Sequence, residues 1–195
     1  LAVKPVAEKD AARFGILKMK ENGRITDFVE KPQQKELLEP FAFPGNPQQP
    51  YLGSMGIYVF NANTMFDLLE DESLEDFGHH VIPHSIDEHK VFGYTYDHYW
   101  EDIGTIRSFY ESNLMLARAN PPFNLYDPNK PIYTRPRFLA GSRVYDVQLD
   151  QVLLAEGGLV KGKFLRNSVI GIRSMIGEDV IMEDTVMMGA DYYEP

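Results

Sequence analysis

A six-residue repeat runs through residues 170–193, which read IGIRSM, IGEDVI, MEDTVM and MGADYY when divided into sixes. The first position of each group is apolar: Ile170, Ile176, Met182 and Met188. This period predicts a parallel β-helix, in which each hexapeptide forms one flat face of a triangular coil and its first side chain fills the interior. The alternative is a pair of ordinary strands whose spacing repeats by coincidence.

A proline-rich stretch precedes the repeat. Five prolines fall between residues 121 and 136, a density typical of an extended connector. We therefore predict three parts: a domain at residues 1–119, a connector at residues 120–150, and the start of a β-helix at residues 151–195. Four hexapeptides make little more than one coil, and coils need stacked neighbours to bury a core. We therefore expect the β-helix to continue past residue 195.

The first 119 residues alternate strand-like and helix-like segments. Residues 15–20 and 25–30 alternate apolar and polar side chains on either side of Asn22-Gly23, which is the strongest short-range signal of a β-hairpin. The apolar run of residues 52–60 predicts one buried strand, and residues 91–96 predict another.

Helices are predicted from their capping residues. Asn63 caps residues 64–70 and Thr105 caps residues 106–118, while a helix that follows Gly78 breaks at Pro83. Residues 33–50 are rich in proline and glutamine and predict a surface loop, with a short helix at residues 35–39.

Composition limits the classes of function. The chain has 195 residues, 44% of them apolar, with 19 Lys and Arg against 29 Asp and Glu and a formal net charge of −10. This acidity argues against nucleic acid as a partner, because nucleic-acid-binding proteins present a basic patch. The absence of Cys excludes disulfides and cysteine nucleophiles. No apolar run approaches the roughly 20 residues of a membrane-spanning helix. Since the chain begins at Leu1 without Met, we expect a piece of a longer protein.

Two short motifs carry candidate chemistry. In Glu30-Lys31-Pro32 the ammonium group suits a phosphate oxygen and the carboxylate suits a sugar hydroxyl; the alternative is an exposed charged turn. In residues 99–105 (YWEDIGT) a carboxylate suits Mg²⁺, which binds one or two protein carboxylates together with phosphates. The alternative there is an acidic pair that stabilises a helix dipole.

Other polar residues are less specific. Ser54 and Tyr58 share one face of a predicted strand, where a packed, hydrogen-bonded hydroxyl is the plainer interpretation. The spacing of His79, His80 and His84 matches no standard pattern of metal ligands. The chain contains neither GxxxxGK[ST] nor GxGxxG after a strand, so we expect any principal nucleotide-binding loop to lie outside it.

Taken together, these motifs resemble the glucose-1-phosphate adenylyltransferase (ADP-glucose pyrophosphorylase) family over the whole chain. The resemblance rests on RFG (13–15), FVEKP (28–32), GSMGIYVF (53–60), DFG (76–78), YWEDIGTI (99–106) and SVIGIRSMIGEDVIMEDTVMMGADYYE (168–194). It implies the α/β class: a partial Rossmann-like nucleotidyltransferase domain with a mixed sheet and helices, followed by the beginning of a left-handed parallel β-helix.

The resemblance also implies a reaction. ATP and α-D-glucose 1-phosphate would give ADP-glucose and diphosphate with Mg²⁺ as cofactor, in an allosteric enzyme of glycogen or starch synthesis. The family forms homo- or hetero-tetramers in the bacterial cytoplasm, or in plastids where a transit peptide precedes the domain. The family's triphosphate-binding loop and a second metal-binding aspartate precede the segment matched by Leu1, so we expect the chain alone to be inactive.

Site residues follow from the resemblance position by position. The positions that contact glucose 1-phosphate are Gly15, Glu30, Lys31 and Ser54, with Lys31 on the phosphate. The positions that line the glucose pocket are Tyr58, Asp76, Phe77 and Trp100. Asp102 is the metal ligand, and Lys31 and Asp102 are the catalytic residues. Three alternatives stay open: a related UDP- or dTDP-glucose enzyme, a non-catalytic regulatory subunit that binds sugar phosphate, and an assembly module.

Overall fold

The computed structural model describes residues 1–43 and 46–193. The chain divides into two compact units, Leu1–His98 and a second that begins at Tyr99. Two parts of the predictions lie outside the described residues: Pro44 and Gly45 of the predicted loop, and Glu194 and Pro195 at the end of the predicted β-helix. Among the helices of the described residues, none is long and apolar enough to cross a membrane.

A five-stranded mixed sheet forms the centre of the first unit. Its strands are β1 (Ala2–Val6), β2 (Gly15–Met19), β3 (Ile25–Glu30), β4 (Tyr51–Ser54) and β5 (Tyr94–Thr95), in the order β3-β2-β4-β1-β5. The β1–β5 pair is parallel and the other neighbouring pairs are antiparallel. The predicted hairpin is confirmed, because β2 pairs with β3 and Gly23 turns the chain with a φ of 82°, a conformation open to glycine.

Both faces of this sheet are covered. The helical segments are α1 (Glu8–Ala11), α2 (Lys35–Leu38), a 3₁₀ turn (Glu39–Phe41), α3 (Ala62–Glu70), a π-helical turn (Phe77–Val81) and α4 (Ile82–Glu88). Side chains alternate between the faces along each strand. Leu17 therefore packs with Ile82 and Ile86 of α4, whereas Ile16 packs with Ala11 and Leu38 on the opposite face.

The sequence predicts one buried strand over the apolar run of residues 52–60, and this prediction is wrong. Strand β4 ends at Ser54, and Gly56 turns the chain with a φ of 69°. Beyond this turn an apolar residue is not necessarily buried, since Val59 is 91% exposed. The strand predicted over residues 91–96 likewise shortens to β5.

Two helix predictions need correction. The capping residue of α3 is Asn61, whose side chain accepts a hydrogen bond from the Asn63 backbone N–H. Pro83 does not break the helix but lies in the first turn of α4. That position tolerates proline, because the N–H groups of a first helical turn have no partner within the helix.

The first regular element of the second unit is α5 (Ile106–Ala117), and a parallel β-helix follows it. Thr105 caps α5 as predicted, in a reciprocal capping box with Ser108. The later strands are β6 (Arg143–Val144), β7 (Gln148–Leu154), β8 (Leu159–Val160), β9 (Phe164–Ile170), β10 (Met175–Ile176), β11 (Ile181–Glu183) and β12 (Val186–Met187). Strands β6, β8 and β10 stack in one parallel sheet, and β9 pairs in parallel with β7, β11 and β12. Coincidental spacing of two ordinary strands is therefore excluded.

The parallel pairing of the β-helix begins earlier in the chain than the sequence predicts. Parallel pairing begins at Arg143, upstream of the predicted start at residue 151. Residues 118–142, all of them described, form neither helix nor strand. The domain boundaries at residues 119 and 151 stay predictions.

The strict period of six fails at its last step. Ile170 and Ile176 are buried and Met182 packs against the core, but Met188 is 77% exposed and Met187 packs inward in its place. Leu165 and Ile170, which point inward on β9, are five residues apart. Met182 pairs with Leu165 and Met187 with Ile170, so the inward-pointing residues of the next coil have the same five-residue spacing.

Candidate functional site

Three of the predicted site residues lie in one row across the sheet of the first unit. Gly15 on β2 pairs directly with Glu30 on β3. On the other side of β2, Ile16 pairs with Gly53, so the same register places Ser54 next to Gly15. Directly opposite residues of antiparallel strands point to the same face. Glu30 and Ser54 therefore point to the face that α4 covers.

The Glu30 side chain lies between two glycines. It is only 15% exposed. A Cβ added at Gly15 would lie 2.7 Å from Glu30 Oε2, and one added at Gly78 would lie 2.5 Å from Glu30 Cδ, both below the 3.0 Å that real Cβ atoms respect. The two bare backbones thus form a slot for the carboxylate.

Lys31 places an ammonium group beside this carboxylate. Its backbone has a φ of 44°, and its N–H donates to Phe14 O at 3.1 Å. The left-handed conformation is uncommon for a residue with a side chain, and the buried Pro32 follows it. Lys31 Nζ lies 3.2 Å from Glu30 Oε1 while its side chain stays 60% exposed. The site therefore offers an accessible cation next to a sheltered anion.

An aromatic platform adjoins the slot, since Phe77 immediately precedes Gly78. The rings of Tyr58 and Phe77 stack with centroids 5.7 Å apart and an interplanar angle of 16°. Phe60 meets Phe77 edge-on at 6.2 Å. Offset stacking and edge contacts are the favourable arrangements of aromatic rings, so these side chains hold one another in place.

Asp76 begins the π-helical turn that carries Phe77 and Gly78. Its Oδ1 accepts a hydrogen bond of 2.7 Å from the His79 backbone N–H. This bond lowers the pKa of the Asp76 carboxyl, with smaller contributions from the Gly78 N–H and the two neighbouring histidines. The carboxylate is therefore ionised at neutral pH. Turns of π-helix are rare and occur often at functional sites.

The structure brings together six of the residues that the sequence predicts in this unit. They form a continuous series of neighbours: Gly15, Glu30, Lys31, Phe77, Asp76 and Tyr58. Ser54 lies in the same row but is buried, and its Oγ accepts a hydrogen bond from the Gly56 N–H at 3.2 Å. This is the satisfied hydroxyl of the plainer interpretation, and a role for Ser54 in binding stays a prediction.

Sequence reasoning missed Gly78. The residue stands in the DFG motif that contributes to the resemblance, but its contact is with Glu30 on a distant strand, and no local pattern predicts that contact. A glycine inside a helical segment is the one sign available, since glycine is unfavourable there without a reason of packing or function.

Trp100 and Asp102 belong to the second unit, in the segment that leads into α5. Both are half-buried, and Asp102 Oδ1 accepts a hydrogen bond from the Gly104 N–H at 3.2 Å. Residues 1–43 and 46–193 contain no group of three or more His, Asp or Glu that could hold a metal ion, so His79, His80 and His84 form no such centre. Magnesium keeps several waters and needs only one or two carboxylates. Asp102 has the hard oxygen donors that this ion prefers.

Two family models match the chain. The nucleotidyl transferase model matches residues 1–119, and the model of the GLGC left-handed parallel beta-helix domain matches residues 137–195. Together with the mixed sheet and the stacked parallel strands, these matches confirm the predicted fold class, including the left-handed sense of the β-helix.

Proposed function

Since the chain belongs to the nucleotidyl transferase family, and its two domains follow in the order of ADP-glucose pyrophosphorylase, we propose that it acts in forming ADP-glucose and diphosphate from ATP and α-D-glucose 1-phosphate. The coarser assignment, a sugar-1-phosphate nucleotidyltransferase, follows from the two matches themselves. The choice of adenosine and of glucose is the proposal. The observation that carries the sugar-phosphate part of the proposal is the accessible Lys31 ammonium beside the sheltered Glu30 carboxylate, whereas the choice of adenosine and of glucose rests on the family resemblance.

Binding of the sugar phosphate divides between these two residues. Lys31 is the exposed partner of the Lys31–Glu30 pair, and water competes with Glu30 for its ammonium group, as it does in exposed ion pairs, which are worth about 0–1 kcal/mol. Lys31 can therefore leave Glu30 for a phosphate at small cost. Glu30, held in its slot, accepts hydrogen bonds from sugar hydroxyls, while the Tyr58–Phe77 platform offers an apolar surface to the ring.

The reaction needs no protein nucleophile. A phosphate oxygen of glucose 1-phosphate attacks the α-phosphorus of ATP, the bond between the α- and β-phosphates breaks, and diphosphate leaves. The protein must orient the attacking oxygen and neutralise charge, which is what Lys31 does at the sugar phosphate. We propose that Asp102 holds Mg²⁺, which when bound supplies charge neutralisation on the triphosphate. Trp100, in the same segment, is proposed to line the glucose pocket.

Titration calorimetry with α-D-glucose 1-phosphate tests the assigned pair. We expect Lys31→Ala to weaken binding by about tenfold or more, because a hydrogen bond to a charged group contributes about 1.5–3 kcal/mol. Lys35→Ala is the matched control, since Lys35 is 67% exposed and also pairs with a glutamate, Glu8, at 3.8 Å. Equal losses for the two variants, or no binding by the unmodified chain, would contradict the proposal.

The choice of nucleotide is tested separately, on the intact protein that carries the nucleotide-binding loop expected outside this chain. We expect that protein to form ADP-glucose from ATP faster than it forms UDP-glucose from UTP or dTDP-glucose from dTTP. If UTP or dTTP is the better substrate, the chain belongs to a related enzyme with another base preference. Localisation in the bacterial cytoplasm or a plastid, and a tetrameric assembly, belong to the same proposal.

A further inference from the structure

We propose that Gly78 is a positioning residue for sugar recognition: its bare backbone provides the space in which Glu30 is held to meet the sugar hydroxyls. This inference rests on the proposed function, which assigns Glu30 to the sugar. It goes further by explaining why a glycine stands at position 78 and what a side chain there would change.

The contacts around Gly78 single out Glu30. For a Cβ built at this position, the three nearest atoms all belong to the Glu30 side chain: Oε2, then Cδ at 2.5 Å and Cγ at 3.0 Å. Gly15 differs, because a Cβ there would also meet the Phe28 ring, with Cε2 at 2.9 Å. A side chain at position 78 therefore collides first with the proposed sugar-binding carboxylate.

The backbone at position 78 does not itself require glycine. Gly78 lies within the π-helical turn Phe77–Val81, and its φ lies outside the left-handed region that disfavours other residues. In helical segments alanine is intrinsically better than glycine. Backbone conformation therefore does not explain the glycine at position 78, whereas the space that the Glu30 side chain occupies does explain it.

The direction of the response follows from which partner can move. Glu30 is the last residue of β3, and its long side chain can change rotamer, whereas Gly78 belongs to the backbone of the turn between Asp76 and α4. A methyl group at position 78 will therefore displace the carboxylate and leave the sheet in place. We expect Gly78→Ala to keep its stability and lose affinity for the sugar, a combination that a purely structural glycine does not give.

A double-mutant cycle measures this coupling in the full chain. Binding of α-D-glucose 1-phosphate and of inorganic phosphate is measured by titration calorimetry for the unmodified chain, Gly78→Ala, Glu30→Ala and the double variant. Gly177→Ala is the matched control, because a Cβ there meets nothing within 4 Å and its φ is ordinary. Thermal unfolding of each variant reports whether the fold is kept.

We expect Gly78→Ala to weaken glucose 1-phosphate binding about tenfold or more, as loss of hydrogen bonds to a charged group predicts, and to leave phosphate binding unchanged. In the Glu30→Ala background, Gly78→Ala should change affinity by less than about twofold, since the group it acts through is gone. Equal losses in both backgrounds, or no loss in either, would overturn the role of Gly78 while the sugar site stands. If the unmodified chain binds glucose 1-phosphate no better than phosphate, the proposed function fails as well.

Discussion

Leu165 is a core residue of the β-helix whose truncation tests the packing between its coils. It is fully buried on β9, where it pairs with Leu149 in the preceding coil and with Met182 in the following one. Replacing a buried Leu by Ala costs about 2–5 kcal/mol, and more where the surroundings cannot collapse into the cavity. Because paired strands flank Leu165 on both sides, we expect Leu165→Ala to lower the free energy of unfolding of the second unit by about 3–4 kcal/mol.

The matched control occupies the same position one coil earlier. Leu149 is 42% exposed, so Leu149→Ala should cost about 1 kcal/mol or less, in proportion to the smaller apolar area that it buries. Urea unfolding followed by the fluorescence of Trp100 reports on the second unit, because the chain contains a single Trp. A loss for Leu165→Ala no larger than that for Leu149→Ala would refute the account of a core stacked from coil to coil.

Two further predictions concern local structure. Thr105→Ala removes one half of the capping box with Ser108 and should lower the free energy of unfolding by about 1 kcal/mol. Thr105→Ser keeps a hydroxyl at this position and should retain most of the stabilisation by the cap. Equal urea midpoints for all three proteins would show that the cap is dispensable. The pKa of Asp76 is lowered in the folded state by the His79 N–H, so its contribution to stability is present above the ordinary Asp pKa of about 4 and is lost as the pH falls through the lower folded value. Between neutral pH and about pH 3, the melting temperature of Asp76→Asn should therefore fall by less than that of the unmodified chain. An equal fall in melting temperature for the two proteins would contradict this assignment.

Features fixed by neighbouring residues are the ones that the sequence predicts well. The β2–β3 hairpin depends on Gly23 and on alternation within a few residues, and the start of α5 depends on Thr105, so both appear as expected. The run of residues 52–60 shows the limit of this reasoning. Its apolar residues continue through Gly56, but the chain turns there with a φ of 69°, and beyond the turn Val59 is exposed while Tyr58 and Phe60 pack against the core.

Register is set by distant partners, and here prediction fails by one residue. A period of six places Met188 inside the β-helix, but pairing with Leu165 and Ile170 selects Met182 and Met187. In the candidate site, too, some features can be predicted from the sequence and others depend on distant contacts. The resemblance identifies Glu30, Lys31 and Phe77, whereas the role of Gly78 depends on a contact between a helical turn and the end of β3.

We propose above all that Lys31 and Glu30 hold the phosphate and the hydroxyls of one sugar phosphate. A crystal structure of the full chain with α-D-glucose 1-phosphate measures this directly. We predict a phosphate oxygen within hydrogen-bonding distance of Lys31 Nζ, a sugar hydroxyl that donates to the Glu30 carboxylate, and the sugar ring against the Tyr58–Phe77 platform. A sugar phosphate bound elsewhere on the chain, with Lys31 still paired to Glu30, would contradict the claim.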